Sequence, residues 1–240
     1  MGAAGNEVIG VDLTSDAHVH TGFSAGRDSV GVIVSAADRA GLRSVTFADY
    51  VGPETAWLPA YADAIRRARS RTELSLRIAA EVEVVRADGW LDWPADISHL
   101  DAVSVAVSRL PLATGPLTPR EVRALLAARE LTVAGVAETL VTATINALER
   151  ATRYAPTQLA RPLGLLAQAG VDPAAVSPDL LAALAYACRS TGTVVEVSEA
   201  WRSPSPAVVA ALRGAGVTLA AASDARYAAD VGRWQYVRRV

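Results

Sequence analysis

Apolar positions along the chain fall into two kinds of run. Short runs rich in valine, alanine, isoleucine and threonine recur near 8–13, 44–49, 76–84, 101–107, 157–160, 193–198 and 217–222. Their length and composition predict strands. Longer amphipathic stretches near 29–40, 57–70, 119–130, 138–152, 178–190 and 205–214 predict helices between them. Several carry a start signal, with Thr118 before Pro119, Ser177 before Pro178 and Ser205 before Pro206, because a hydroxyl caps the first turn and proline there gives up no needed N–H. Gly41, Gly192 and Gly214 stand where helices should stop. Strand and helix alternating throughout is the pattern of repeated βα units on a mostly parallel sheet.

No Ser/Gly-rich linker and no internal repeat divides these segments, so residues 1–240 are expected to form one closed or nearly closed α/β barrel domain. An open doubly wound sheet is the alternative. It would place a glycine-rich phosphate loop after the first strand, where Thr21, Gly22, Phe23, Ser24, Ala25 and Gly26 stand instead.

Composition narrows the function class. A hydrophobic content of 51% supports a large core, and a net charge of −2 argues against a general nucleic-acid surface. Cys188 is a lone cysteine in an apolar run and reads as a buried core residue in a reducing compartment. Met1 to Asn6 lacks the basic and apolar regions of a secretory leader, and no apolar run approaches the roughly 20 residues of a membrane span. The expected location is the cytoplasm.

The chemistry concentrates in Asp16-Ala17-His18-Val19-His20. Side chains two apart on an extended chain share a face, so Asp16, His18 and His20 can converge on one site. Two imidazoles suit zinc, iron or manganese, and a nearby acid can hold a ring in the required tautomer. Such a pair leaves a metal under-coordinated, and the candidate acids at other strands are Asp49, Glu81 and Asp224. An acid inside an apolar strand must be paired or metal-bound; a strand-end cap or an arginine ion pair is the plain reading of each. His99 reads as a loop histidine and Trp90 and Trp93 as a loop cover, while Trp201 and Arg202 follow a strand on the mouth side.

Taken in order, these segments resemble the polymerase-and-histidinol-phosphatase (PHP) family. The series comprises Asp16 to His20 with Ser24-Ala25-Gly26, Gly41-Leu42 through Ala48-Asp49-Tyr50, and Glu81-Val82-Glu83. It continues with Asp101 to Ser108, Leu159-Ala160-Arg161-Pro162, Val195-Glu196-Val197-Ser198, and Ser223-Asp224-Ala225-Arg226 with Asp230-Val231-Gly232. The resemblance implies a distorted (β/α)7 TIM-like barrel that hydrolyses phosphate esters with up to three metals. It also implies more chain after Gly232 than the eight residues present.

Carried over residue by residue, it implies one complete metal site from His18, His20, Glu81 and Asp224, with Asp16 behind it. A second site has Ser108 and Arg161 where histidines are expected, and a third is emptied at Ala25, Tyr50 and Arg226. Arginine cannot ligate a cation but matches phosphate or carboxylate with a planar fork. Arg161 and Arg226, with Tyr50 and Ser108, are therefore expected to clamp an anionic substrate group, unless each arginine pairs with Asp49, Glu83 or Glu196.

The expected activity is a mononuclear metal-dependent hydrolase acting on a small anionic molecule, a phosphate ester first. One divalent transition metal would activate water, and Asp49 or Asp224 would accept its proton. Deamidation, lactone opening and metal-assisted elimination suit the same parts. The rival is a degenerate barrel that binds a ligand or protein without turnover.

Overall fold

Seven apolar segments pair side by side in the computed structural model of the chain, which describes residues 10–240. In chain order the strands are β1 (Ser15–Val19), β2 (Ser44–Val51), β3 (Ser75–Glu83), β4 (Ala102–Ala106), β5 (Leu110–Leu112), β6 (Gly115–Leu117), β7 (Thr157–Leu159), β8 (Val194–Ser198) and β9 (Leu219–Ala222). β5 and β6 form a separate antiparallel hairpin. The other seven run parallel in the order β1-β2-β3-β4-β7-β8-β9.

The edges of this sheet meet. Val19 bridges Ala225 in parallel, the His20 amide donates to the Ala225 carbonyl at 2.9 Å, and the Asp224 amide donates to the His18 carbonyl at 2.9 Å. The result is a nearly closed TIM-like (β/α)7 barrel, and its seam lies beside the two histidines.

Helices α1 (Val30–Arg39), α2 (Leu58–Arg69), α3 (Pro119–Ala127), α4 (Val133–Ala151), α5 (Gly164–Gln168), α6 (Pro178–Thr191) and α7 (Pro206–Gly214) fill the connections. Of the successive strands of the seven-stranded sheet, only β3 and β4 are joined without a helix among the described residues. Caps begin where hydroxyls predicted them: Thr118 and Glu121 form a reciprocal capping box on α3, and Ser177 accepts from the Leu180 amide on α6. Ser205 precedes α7 without a side-chain cap bond. Among the described residues no helix is long and apolar enough to cross a membrane.

Three expectations shift, and one helix had none. The strand expected near 8–13 is replaced by β1 at Ser15–Val19. The Asp12 carboxylate accepts from the Thr14 amide at 2.9 Å and from the hydroxyls of Thr14 and Ser15, which turns the chain just before the sheet. Residues 8 and 9, like the leader reading of residues 1–6, lie outside the described residues. Helix α4 starts at Val133, not near 138, because Thr132 caps the Gly135 amide. The left-handed turn after α7 falls on Gly216 (φ +77°), while Gly41 and Gly192 take left-handed φ as expected. The short α5 carried no apolar period long enough to predict it.

Strand alternation divides the interior. Val45, Phe47, Ile78, Ala80, Val82, Val103, Val105, Val195 and Val197 join the large outer core beneath the helices. Ala48, Ala79 and Ala102 form a small cluster of their own. These three are out of phase with their outward neighbours and so face the barrel axis. Positions in step with them further along the strands are Tyr50, Glu81, Glu83, Ser104 and Ala106; small residues below and, apart from Ala106, polar ones above make the axis a lined site.

Candidate metal centre

β1 delivers His18 on its inner face, and His20 follows one residue past the strand end; both rings are fully buried, edge to face at 4.9 Å between centroids. β3 brings Glu81, 1% exposed, to the same point. His18, His20 and Glu81 form a buried group that could hold a metal ion, each offering one donor with all donors within 4.8 Å of one another. Asp224 completes the cluster from the turn after β9, with His20 Nε2 at 3.0 Å from its Oδ1.

The donor spacings bear on the fit. His18 Nε2 lies 3.0 Å and His20 Nε2 3.8 Å from Glu81 Oε2. Bonds of roughly 2.05 Å in a tetrahedral site put donors about 3.3 Å apart, and the observed separations bracket that value. His18 Nε2 makes no aligned hydrogen bond despite its proximity to Glu81, so it is an orphaned buried nitrogen of the kind a cation satisfies. Charge calls for further cations or protons here: the carboxylates of Glu81, Asp224 and Glu196 are all buried, and Arg161 neutralises one of them. A divalent ion balances the rest, and so do two protons on the cluster without a metal.

Glu196, on β8, went unassigned in the sequence, although its strand was recognised. Its Oε1 is 2.9 Å from His18 Nδ1 and accepts from Ser104 Oγ at 3.0 Å and Gln158 Nε2 at 2.7 Å. A carboxylate behind the far nitrogen fixes the ring and raises its basicity. Burial opposes protonation of His18, but Glu196, with Glu81 and Asp224, outweighs it and lifts the pKa well above the usual imidazole value. The signal available in sequence was an acid within an apolar strand, the same as for Glu81.

Asp16 stands behind the site. Its Oδ1 accepts from the Ser223 amide at 2.9 Å and its Oδ2 from the Gly232 amide at 3.2 Å, which ties β1 to the loop carrying Asp224. Burial pushes its pKa up to about 6 against those bonds. Asp224 itself has left-handed φ (+54°), as do Arg161 (+45°) and Arg202 (+48°). Three strained non-glycine residues near one mouth, each costing on the order of 1–3 kcal/mol, are held there by the surrounding bonds.

Two expectations about individual side chains, Asp49 and Arg161, need correction. Asp49 does not face the cluster: it is out of phase with Ala48 and Tyr50 on β2, and both its oxygens are taken by Thr21 and Ser24. It accepts from the Thr21 amide at 3.0 Å, from Thr21 Oγ1 at 2.6 Å and from Ser24 Oγ. It anchors the loop after β1, where burial raises its pKa. That loop is tight, for a Cβ added at Gly26 would lie 2.5 Å from the His20 carbonyl oxygen.

Arg161, 5% exposed, pairs with neither Asp49, Glu83 nor Glu196, nor is its fork open to a substrate. Nη1 donates to Glu81 Oε2 at 2.9 Å and Asp224 Oδ2 at 3.2 Å; Nη2 donates to Glu81 Oε1 and to Ser108 Oγ at 3.2 Å. Arg226 is exposed and takes part in no ion pair among the described residues. The two arginines therefore play different parts.

Around this cluster Tyr50 stacks on His20 at 4.7 Å, and Trp201 lies 4.9 Å from the Arg161 guanidinium. Glu83 is half-buried at the end of β3, its Oε1 accepting from the Ser108 amide at 2.6 Å and the Arg109 amide at 3.1 Å. Burial raises its pKa to about 7, helped by neighbouring Glu81 and opposed by Ser108. Burial also works against ionised Asp224, but His20, His18 and Arg161 hold its carboxyl well below the usual range. The cavity of about 580 Å³ lined by Phe23, Arg27, Arg67 and Arg71 lies elsewhere, between α1 and α2.

No protein-family model matches the chain, and no curated protein matches it significantly. Among solved structures it superposes on a candidate histidinol phosphatase from Listeria monocytogenes with a TM-score of 0.68, at 12% identity over 91% of this chain and 97% of that one. The likeness is one of fold. A D-hydantoinase matches at TM-score 0.35 and 12% identity, covering 86% of this chain and 45% of that one. A broad-specificity endoglucanase from Clostridium acetobutylicum does so at 0.35 and 11%, covering 88% and 90%. Neither bears on the site.

Proposed function

We propose that this chain is a metal-dependent hydrolase of a small anionic substrate, with phosphate esters the favoured class, working at one divalent transition metal (zinc, iron or manganese). The proposed ligands are His18, His20, Glu81 and Asp224. The observation that carries this reading is the buried His18–His20–Glu81 group with its orphaned Nε2. The PHP-like motif series and a fold shared with a candidate histidinol phosphatase support it.

When bound, the metal would supply a Lewis acid and an activated water. The chain's own residues do the rest. Glu196 holds His18 with Nε2 turned inward, and Asp16 ties the Asp224 loop to β1. Of the two acids expected to take a proton, Asp49 is locked in its loop and Asp224 is a weak base. Glu83, beside Ser108 at the mouth with one oxygen uncommitted, suits that task better. Arg226, Tyr50 and Ser108 are the proposed contacts for the substrate's anionic group.

A second reading is favoured by Arg161. Its fork occupies both oxygens of Glu81, so the cluster is also satisfied by protons and a guanidinium, as in a barrel that binds without turnover. Elemental analysis of protein purified without chelator separates the two. About one tightly held transition metal per chain, lost in His18→Ala together with phosphatase activity, supports the hydrolase. A metal-free wild-type protein, or a folded and fully active His18→Ala, overturns it.

A further inference from the structure

We propose that Arg161 is the fixed second cation of this centre: its guanidinium takes the outer oxygens of Glu81 and Asp224 and so limits the site to one metal ion. The inference rests on the metal reading above.

Each of the two carboxylates is shared between an imidazole and the guanidinium. Asp224 gives Oδ1 to His20 Nε2 at 3.0 Å and Oδ2 to Arg161 Nη1 at 3.2 Å. Glu81 has Oε2 within 3.0 Å of His18 Nε2 and 2.9 Å of Arg161 Nη1, while Oε1 goes wholly to Nη2. Carboxylates that bridge two cations in two-metal sites divide their oxygens in this manner. Here the inner side is lined by nitrogens that can ligate, and the outer side is filled by a group that cannot.

The guanidinium is held in that place. Trp201 lies 4.9 Å from its centre and Tyr50 5.8 Å, and Ser108 Oγ accepts from Nη2 at 3.2 Å. A positive charge on a planar fork does not leave with a chelator or a change of pH. The carboxylates are thereby positioned before any metal arrives, and a second divalent ion has no free oxygen from either to bind. The same charge repels the first metal, so affinity for it is lower than the four ligands alone would confer.

Metal titration tests this, with manganese(II) as probe and stoichiometry read by elemental analysis after desalting. Wild type and Arg161→Lys should each hold one ion per chain. Arg161→His, which supplies an imidazole in place of the charge, should hold two. Arg161→Gln, checked for folding by circular dichroism, should bind its first ion at least ~10-fold more tightly than wild type, since a repelling charge is gone. One ion in wild type, with one in Arg161→His and unchanged affinity in Arg161→Gln, overturns the role given to Arg161 and leaves the metal centre standing. If Arg161→His does not fold, unchanged affinity in Arg161→Gln is sufficient to overturn it. No ion in wild type removes both proposals.

Discussion

His18 presents one ring nitrogen to each of two buried carboxylates, Nδ1 at 2.9 Å from Glu196 Oε1 and Nε2 at 3.0 Å from Glu81 Oε2. The ring thus spans the barrel axis between β8 and β3, with its tautomer set from behind. Glu196→Gln keeps the shape but removes the charge that makes the ring basic. We expect metal affinity to fall about 10–100-fold with the fold intact, measured by competition with a chromogenic chelator. Equal affinities in the two proteins would remove Glu196 from the centre.

Asp49 is expected to matter for stability, not as a proton acceptor. Asp49→Ala leaves the Thr21 amide and hydroxyl and the Ser24 hydroxyl without their acceptor, a loss of about 3 kcal/mol. Asp49→Asn should cost less, since its carbonyl still accepts. Urea denaturation gives both values; an Asp49→Ala protein as stable as wild type but inactive would restore the catalytic role expected from its strand-end position.

Glu83 makes stability depend on pH. Its folded pKa of about 7 exceeds the ordinary 4.5, so the folded chain holds this proton more tightly than the unfolded chain does. That contribution is complete below the unfolded value and is lost as pH rises through the folded one. Wild type should therefore lose stability between pH 4.5 and about 7 relative to Glu83→Gln, which cannot titrate there. Denaturant midpoints across this window test the point, and parallel profiles for the two proteins would refute it.

Cys188 should be inert in the folded protein. It is fully buried on α6, and burial pushes its thiol up to about 12, whereas the thiolate is the reactive form. Labelling with a disulfide reagent should be slow in native buffer and fast in denaturant; rapid native labelling would show the helix packing to be wrong.

Several of these outcomes reach back to what was legible in the chain. The His-x-His pair was readable because both residues lie on one local stretch, where a two-residue period puts them on the same face. Glu81 followed from the same logic, as an acid inside an apolar strand. Asp49 looked equivalent, but strand phase turns it outward, and the phase of β2 shows only when Ala48 is seen at the axis beside Ala79 and Ala102. Glu196 carried the same signal as Glu81 and lacked only a partner to mark it.

By itself the sequence determined the alternation of strands and helices, the caps that start α3 and α6, and the pairing of His18 with His20. All of these depend on residues near one another along the chain. The tertiary structure decided which charges meet. Arg161 reaches Glu81 across 80 positions and Asp224 across 63, and His18 reaches Glu196 across 178. Those encounters exist only because the barrel closes with one particular register between its strands, and no local pattern encodes where a closed sheet will bring a guanidinium.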